Sequence, residues 1–302
     1  MLAAAAVKYA AALSVDPGNA QALNNWGLVL QDLAAMAPPA QRRALVHAAV
    51  ARFRAAIRLQ PDGKLTARFA YNLGTVLYSS ACALQDALLG ASPGSAAAGG
   101  GGSSGGGGGQ PERAAEERAV RCAFADAAQY ILLAAALQPA VEVFEQSLTA
   151  VQRLLPLPYL RAGALLVAAP PPAAGTAAAA AAAAAAALQE DWVRAWFVLD
   201  GQVLQSVRPP AAEAARLAGP VPSVAIDVED IVDAQTCLDP SLPPGVAIWV
   251  GLKSRPRGVF LVADDREGAE AWTDALRLLA LLHKTDARAE GLQAALTARR
   301  RR

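Results

Sequence analysis

Few side chains in this 302-residue chain have the type and spacing that catalysis requires. The two histidines, His47 and His283, lie far apart, so they offer neither a metal-ligand cluster nor much general acid-base capacity. The sequence contains no GxSxG nucleophile elbow, no GxxxxGK[ST] phosphate loop and no HExxH zinc motif. We therefore predict a protein that is not an enzyme, has no small-molecule substrate and uses no metal or other cofactor.

One acidic cluster does carry residue types that bind cations: Asp227, Glu229, Asp230 and Asp233. A calcium-binding loop places its oxygen ligands at alternate positions around a glycine and ends in a glutamate. This cluster lacks that spacing. We interpret its carboxylates as the solvated edge of a β-strand.

Two groups of cations have the charge needed to contact phosphate. Lys253, Arg255 and Arg257 occur together in KSRPR, and Arg299–Arg302 end a basic tail over residues 285–302. Near an anionic membrane each such cation contributes about 1 kcal/mol. We interpret them first as a solvated hairpin and a frayed terminus. We therefore expect any contact with an anionic surface to be weak and to be lost as salt approaches physiological strength.

The overall composition gives little support for nucleic-acid binding, disulfide bonds or a membrane anchor. Lys and Arg number 27 against 26 Asp and Glu, so charge gives no reason to expect nucleic acid. The three scattered cysteines form no CxxC pair, which argues against a disulfide framework and fits a reducing compartment. The uncharged stretch over residues 162–188 is rich in Pro and Ala, so we interpret it as a low-complexity insert and not a membrane anchor.

A recurring helical spacing organises the first half of the chain. A small residue is followed four positions later by an aromatic, then three later by a small residue, then five later by proline. The small residues let two helices approach closely, the aromatic fills the gap, and proline ends the helix. The copies are Ala5, Tyr9, Ala12 and Pro17; Ala49, Phe53, Ala56 and Pro61; and Ala127, Ile131, Ala134 and Pro139, where isoleucine replaces the aromatic.

Between these copies lie two segments with an apolar-glycine pair where a partner helix would cross closely: Trp26-Gly27 in ALNNWGLVL and Leu73-Gly74 in FAYNLGTVL. The alternation resembles tetratricopeptide repeats, and it predicts a solenoid over residues 1–155 with a groove for a protein segment. A plain bundle of helical hairpins is the alternative. Chaperone clamping is disfavoured, because Asn24 and Leu28 stand where that family would need Lys and Asn.

The predicted array is irregular in two places. Residues 90–110 include GGGGSSGGGGG, which predicts a flexible insert inside the helical region. The first unit lacks its first helix, because the chain starts inside the second, so we expect this end to be incomplete or capped by a partner.

After residue 156 the period changes from helical to strand-like. Strands are predicted at 159–167, 192–199, 202–207, 224–228, 231–236, 246–253 and 258–263, with a Pro/Ala-rich insert at 169–188. One helix follows, with Ala269, Trp272, Leu276 and Leu279 on one face.

Seven strands followed by one helix with a central tryptophan resemble the pleckstrin-homology order. That resemblance predicts a small β-barrel over residues 156–284 with Trp196, Phe197 and Trp272 in its core. Phosphoinositide-binding members place cations on alternating positions entering the second strand, but Val193 and Ala195 occupy them here, while Arg194 points the other way. We therefore expect no tight inositol-phosphate site.

Six further stretches occur in a characteristic order: ALNNWGLVLQDL, FRAAIRLQ, YNLGTVLY, LPLPYLRAG, LPPG and VFLVAD. In these the chain resembles the hypersensitive-to-latrunculin-B family of plants and green algae. The resemblance implies a cytosolic, peripheral protein of the trans-Golgi network and early endosome that links vesicle traffic to actin. The Gly and Ala tracts depart from that family.

These inferences predict a non-catalytic adaptor that binds protein partners through its repeats and contacts membranes weakly at most. The alternative is a tetratricopeptide assembly factor or scaffold in an organelle such as the chloroplast.

Overall fold

The computed structural model describes residues 1–59, 63–90, 109–155, 158–168, 192–217 and 222–285, together with residues 292 and 296. The chain is a mixed α + β protein that divides into two compact units, Met1–Leu155 and Pro156–Arg302. The predictions for Pro61, for the insert at 169–188 and for Arg299–Arg302 lie outside the described residues, as do residues 91–108 of the glycine-rich insert.

Unit 1 contains helices that follow one another closely along the described chain. They are α1 (Leu2–Val15), α2 (Ala20–Met36), α3 (Pro39–Leu59), α4 (Gly63–Gly90), α5 (Gly109–Leu137) and α6 (Glu142–Val151), followed by a 3₁₀ turn at Gln152–Leu154. Each helix packs against the next one in sequence. The start of α2 is fixed by Asn19, whose side chain accepts a hydrogen bond from the Ala22 N–H at 2.8 Å.

Two sequence predictions for unit 1 need correction. The flexible insert was predicted over 90–110, but Gly90 ends α4 and residues 109–110 begin α5. Pro111 lies in the first turn of α5. N–H groups in a first turn make no hydrogen bond within the helix, so proline is tolerated there and the helix can begin before it. Ala12 was predicted to pack, yet it is exposed, and α1 has no buried residue. Since α1 packs against α2 on one side, its remaining faces stay exposed.

Unit 2 contains one seven-stranded antiparallel sheet. Its strands are β1 (Arg161–Ala168), β2 (Trp192–Leu199), β3 (Val203–Val207), β4 (Ala225–Asp227), β5 (Ile231–Cys237), β6 (Val246–Leu252) and β7 (Val259–Ala263). The strand order across the sheet is β4-β3-β2-β1-β7-β6-β5. All seven predicted strands are therefore present within two residues of their predicted ends. Asp200 forms the β2–β3 turn, because its carboxylate accepts from the N–H groups of Gln202 and Val203 at 2.7 and 2.8 Å.

The predicted closed barrel is wrong, because β4 and β5 are the two edges of an open sheet. β4 has three residues, and the chain then turns through a 3₁₀ segment at Val228–Asp230. That turn satisfies its backbone elsewhere: Val228 N–H donates to Gln202 O at 2.7 Å, and Asp230 O accepts from Lys253 N–H at 2.9 Å. The turn thus bridges neighbouring hairpins in place of a β4–β5 ladder.

The last described helix, α7 (Arg266–Lys284), packs against β5, β6, β7 and the 3₁₀ turn. It begins at Asp265, whose carboxylate accepts from Gly268 N–H at 2.7 Å. The predicted face is buried, with Trp272 only 3% exposed. A second stripe is buried as well, comprising Ala271, Asp274, Ala275, Leu278 and Leu282. Leu292 and Leu296, which lie in the predicted basic tail over residues 285–302, are each 1% exposed.

Candidate protein-binding face and cationic hairpin

Two equivalent glycine contacts join the helices of unit 1. A Cβ atom on Gly27 of α2 would lie 2.7 Å from the Phe53 ring of α3. A Cβ on Gly74 of α4 would lie 2.7 Å from Ile131 Cγ1 and 3.1 Å from the Ala127 carbonyl oxygen of α5. Both contacts use the predicted glycine of one helix and the predicted aromatic position of the next. Any side chain at either glycine would push the two helices apart.

The other residues predicted to pack in unit 1 differ in how deeply their side chains are buried. Ala49, Phe53, Ala56 and Leu73 are fully buried. Trp26 is half-buried, and its ring lies 4.1 Å below the Arg52 guanidinium carbon. Ala5 and Tyr9 are half-buried on α1.

A polar cluster connects the first helices of successive hairpins. Asn72 on α4 donates from Nδ2 to Oδ1 of Asn24 on α2 at 2.9 Å. Asn25 Oδ1 accepts from Gln21 Nε2 at 2.8 Å, and Asn24 is fully buried. The two half-buried amides, Asn25 and Asn72, are the pair that the sequence places at equivalent repeat positions.

Aromatic and hydroxyl contacts extend this surface from α4 to α6. The Tyr71 and Phe144 rings lie 4.6 Å apart, and the Tyr71 and Ser147 hydroxyl oxygens are 3.0 Å apart. Along α4, Thr75 and Ser79 follow Asn72 at helical spacing. We call the surface formed by Asn25, Asn72, Thr75, Ser79 and Tyr71 the first-helix face. Its amides and hydroxyls have the chemistry to hydrogen-bond the main chain of an extended peptide.

In unit 2 the positions entering β2 face the interior, as alternation predicts. Ala195 is 4% exposed and Phe197 is fully buried, while Trp196 on the opposite face is half-buried. The two cations of this strand pair lie at opposite ends of it, because Arg161 pairs with Leu199 and Arg194 pairs with Leu166. Arg194 pairs with the Asp264 carboxylate, and the Arg161 guanidinium carbon lies 5.1 Å from the centre of the Trp272 ring. Arg161 and Arg194 therefore do not converge on a shared site.

The predicted acidic cluster is not gathered around one point. Asp233 pairs with Arg277 at 3.4 Å, and Glu229 lies 3.7 Å from His283 Nδ1. Asp230 instead binds Ser254, while Asp227 is exposed. Among the described residues, no group of three His, Cys, Asp or Glu side chains is arranged to hold a metal ion.

Residues 253–257 are all exposed and form the β6–β7 connection, which we call the cationic hairpin. Lys253, Arg255 and Arg257 have no acidic side chain within ion-pair distance in the described part of the chain. Asp230 lies at the base of the hairpin. The Ser254 hydroxyl, which donates to its carboxylate, lowers the Asp230 pKa below its ordinary value, and the charge of Lys253 acts in the same direction.

The three cysteines all lie among the described residues and form no disulfide. At the end of β5, burial raises the pKa of Cys237, and the nearby Asp239 carboxylate adds to the effect. A raised pKa keeps the thiol protonated, so Cys237 has no sign of nucleophilic activation.

One described helical segment, Arg113–Leu137 within α5, is long and apolar enough to cross a membrane, and 67% of its apolar window is buried inside the protein. The core helix of a protein in water meets the same criteria.

No known protein-family model matches the chain, and no curated protein matches it.

Proposed function

We propose that this protein is a non-catalytic adaptor whose first unit is a tetratricopeptide-type array that binds a segment of a partner protein. The observation that carries the proposal is the repetition of one contact, Gly27 on Phe53 and Gly74 on Ile131, at the predicted repeat positions. Repetition of a close helix crossing is what stacked helical hairpins require. Such stacking brings first helices side by side, and the Asn24–Asn72 bond joins two of them.

The second unit supports a pleckstrin-homology-like assignment. Seven antiparallel strands, with a one-turn helix at Ala211–Ala214 between β3 and β4, precede α7, whose central tryptophan, Trp272, packs beside Gly163 of β1. In this proposal the unit gives the adaptor a second contact, either with a protein or weakly with a membrane. Val193 and Ala195 occupy the positions where phosphoinositide-binding members carry cations, which favours a contact without head-group selectivity.

The setting we propose is peripheral association with the trans-Golgi network and early endosome, with a link to actin. Its support is the set of six sequence stretches in which the chain resembles the hypersensitive-to-latrunculin-B family. Imaging of the tagged chain tests this setting. Punctate endomembrane signal is expected, whereas uniform chloroplast stroma signal would replace the proposal with an organelle scaffold.

The protein-binding face is tested by proximity labelling with paired variants. Ser79→Arg places a large cation on the first-helix face, and Ala51→Arg places the same side chain at an exposed position of α3. We expect Ser79→Arg to remove specific neighbours that Ala51→Arg retains. If both variants label the same set of neighbouring proteins, the partner does not bind at the first-helix face.

A further inference from the structure

The cationic hairpin is held in one shape by contacts at both ends. At its start, Asp230 accepts from the Ser254 N–H at 2.8 Å and also from the Ser254 hydroxyl. At its end, the Trp249 indole N–H donates to Arg257 O at 3.1 Å. Gly258 closes the turn with φ +66°, and its N–H donates to Arg255 O at 2.9 Å. A Cβ at Gly258 would lie 2.4 Å from Val250 O, so this turn requires glycine.

These contacts fix the backbone from which three cations project. Lys253, Arg255 and Arg257 occupy alternate positions on an exposed turn. They are not enclosed in a cleft, because every residue of 253–257 is exposed. An open group of cations suits a plane of many phosphates better than a single enclosed phosphate.

We propose that Asp230 and Ser254 are positioning residues that hold the cationic hairpin in the shape that binds an anionic membrane surface. This inference rests on the proposed membrane contact of the second unit. Fixing the backbone in advance lowers the ordering cost of binding, so loss of the Asp230–Ser254 contact weakens binding without removing a cation.

Charge alone predicts the opposite result for Asp230. Its carboxylate is a negative charge beside the hairpin, so removing it raises the local positive potential and strengthens attraction to anionic lipid. Positioning predicts weaker binding for the same substitution. Asp227 supplies the matched control, because it is an exposed carboxylate at the end of β4 that makes no bond to the hairpin.

The experiment measures co-sedimentation of the full chain with phosphatidylcholine vesicles, with and without phosphatidylserine, at low salt. The parent is expected to bind only the phosphatidylserine vesicles. Asp230→Ala and Ser254→Ala are expected to bind about two- to tenfold more weakly, the range given by loss of one hydrogen bond. Ser254→Thr keeps the hydroxyl and is expected to restore binding. Asp227→Ala is expected to bind as well as the parent or better.

The outcomes separate the two proposals. No binding by the parent at low salt overturns the membrane contact itself. Binding by the parent, together with equal or tighter binding by Asp230→Ala, overturns only the positioning role. Hydrogen exchange at the Gly258 N–H gives a second measure: faster exchange in Ser254→Ala, with unchanged exchange at the amides of the β1–β2 pair, supports local loosening of the hairpin. Unchanged exchange in that variant overturns the positioning role.

Discussion

Asn72 on α4 donates its side-chain N–H to Oδ1 of Asn24 on α2 at 2.9 Å, although 48 positions separate the two residues in the chain. Asn24 is fully buried and Asn72 is half-buried, so the bond runs from the surface into the core. It ties together helices that belong to different hairpins. The register of one hairpin on the next therefore depends on a polar contact as well as on apolar packing.

Asn72→Ala is expected to destabilise unit 1 by about 1–3 kcal/mol, because it leaves the buried Asn24 oxygen without its donor. Urea unfolding followed by helical circular dichroism measures the change. Ser79→Ala, on the same helix but exposed, is the control and is expected to change stability by about 0.5 kcal/mol or less. Equal midpoints for the two variants would contradict a stabilising role for the amide pair.

Gly74→Ala is expected to destabilise unit 1 by about 1–3 kcal/mol, and Gly74→Leu by more, because the new Cβ meets Ile131 and a backbone oxygen. Gly90→Ala is the matched control, since nothing lies within 4 Å of a Cβ at that position. Thermal unfolding compares the two. A Gly74→Ala melting temperature equal to that of Gly90→Ala would show that the α4–α5 crossing has more room than the structure gives it.

Trp272→Ala is expected to cost about 3–5 kcal/mol and to unfold unit 2, because a buried aromatic side chain leaves a large cavity beside β1. Leu238→Ala, at a residue that is 91% exposed, is expected to leave stability nearly unchanged. Near-ultraviolet circular dichroism and limited proteolysis report the loss of packing. Retention of a cooperative transition by Trp272→Ala near the parent temperature would exclude Trp272 as a core residue.

Acidification is expected to weaken the base of the cationic hairpin. The pKa of Asp230 is lowered in the folded state, so its contribution is complete above the ordinary value of 3.8 and is lost as pH falls below that value through the folded pKa. Ser254→Ala removes the main cause of the shift. Its melting temperature should therefore fall less steeply with acidification than that of the parent. Parallel pH profiles for the two proteins would mean that the Ser254 bond does not favour the charged form.

Much of this architecture follows from local patterns. Strands β2, β6 and β7 are short apolar runs, and Asp200-Gly201 marks the β2–β3 hairpin, so the strand positions can be predicted from the sequence. The helix crossings at Gly27 and Gly74 can also be predicted from the sequence. Glycine destabilises the interior of a helix, so its presence beside an apolar residue there indicates a close helix contact. Whether the sheet closes into a barrel cannot be predicted from local patterns. Closure would require the short strand β4 to pair with β5, and the 3₁₀ turn at Val228–Asp230 stands between these two strands instead.

The second buried stripe of α7 was missed, although Ala271, Ala275, Leu278 and Leu282 repeat at helical spacing and signal it. The Asp230–Ser254 contact at the base of the cationic hairpin is harder to predict from the sequence. Asp230 and Ser254 are distant in sequence, and only the β5–β6 pairing brings them together. Non-local contacts between common polar residues have no periodicity to detect.

The burial of Leu292 and Leu296 has a practical consequence for handling the protein. A fluorescent protein or labelling enzyme fused directly after Arg302 would lie six residues beyond the buried Leu296, and its bulk would disturb the packing of that residue. α1 carries no buried side chain, so a fusion ahead of Met1 precedes a helix without core residues. Reporter fusions for imaging and proximity labelling should therefore be placed at the amino end, or use a long spacer at the carboxyl end.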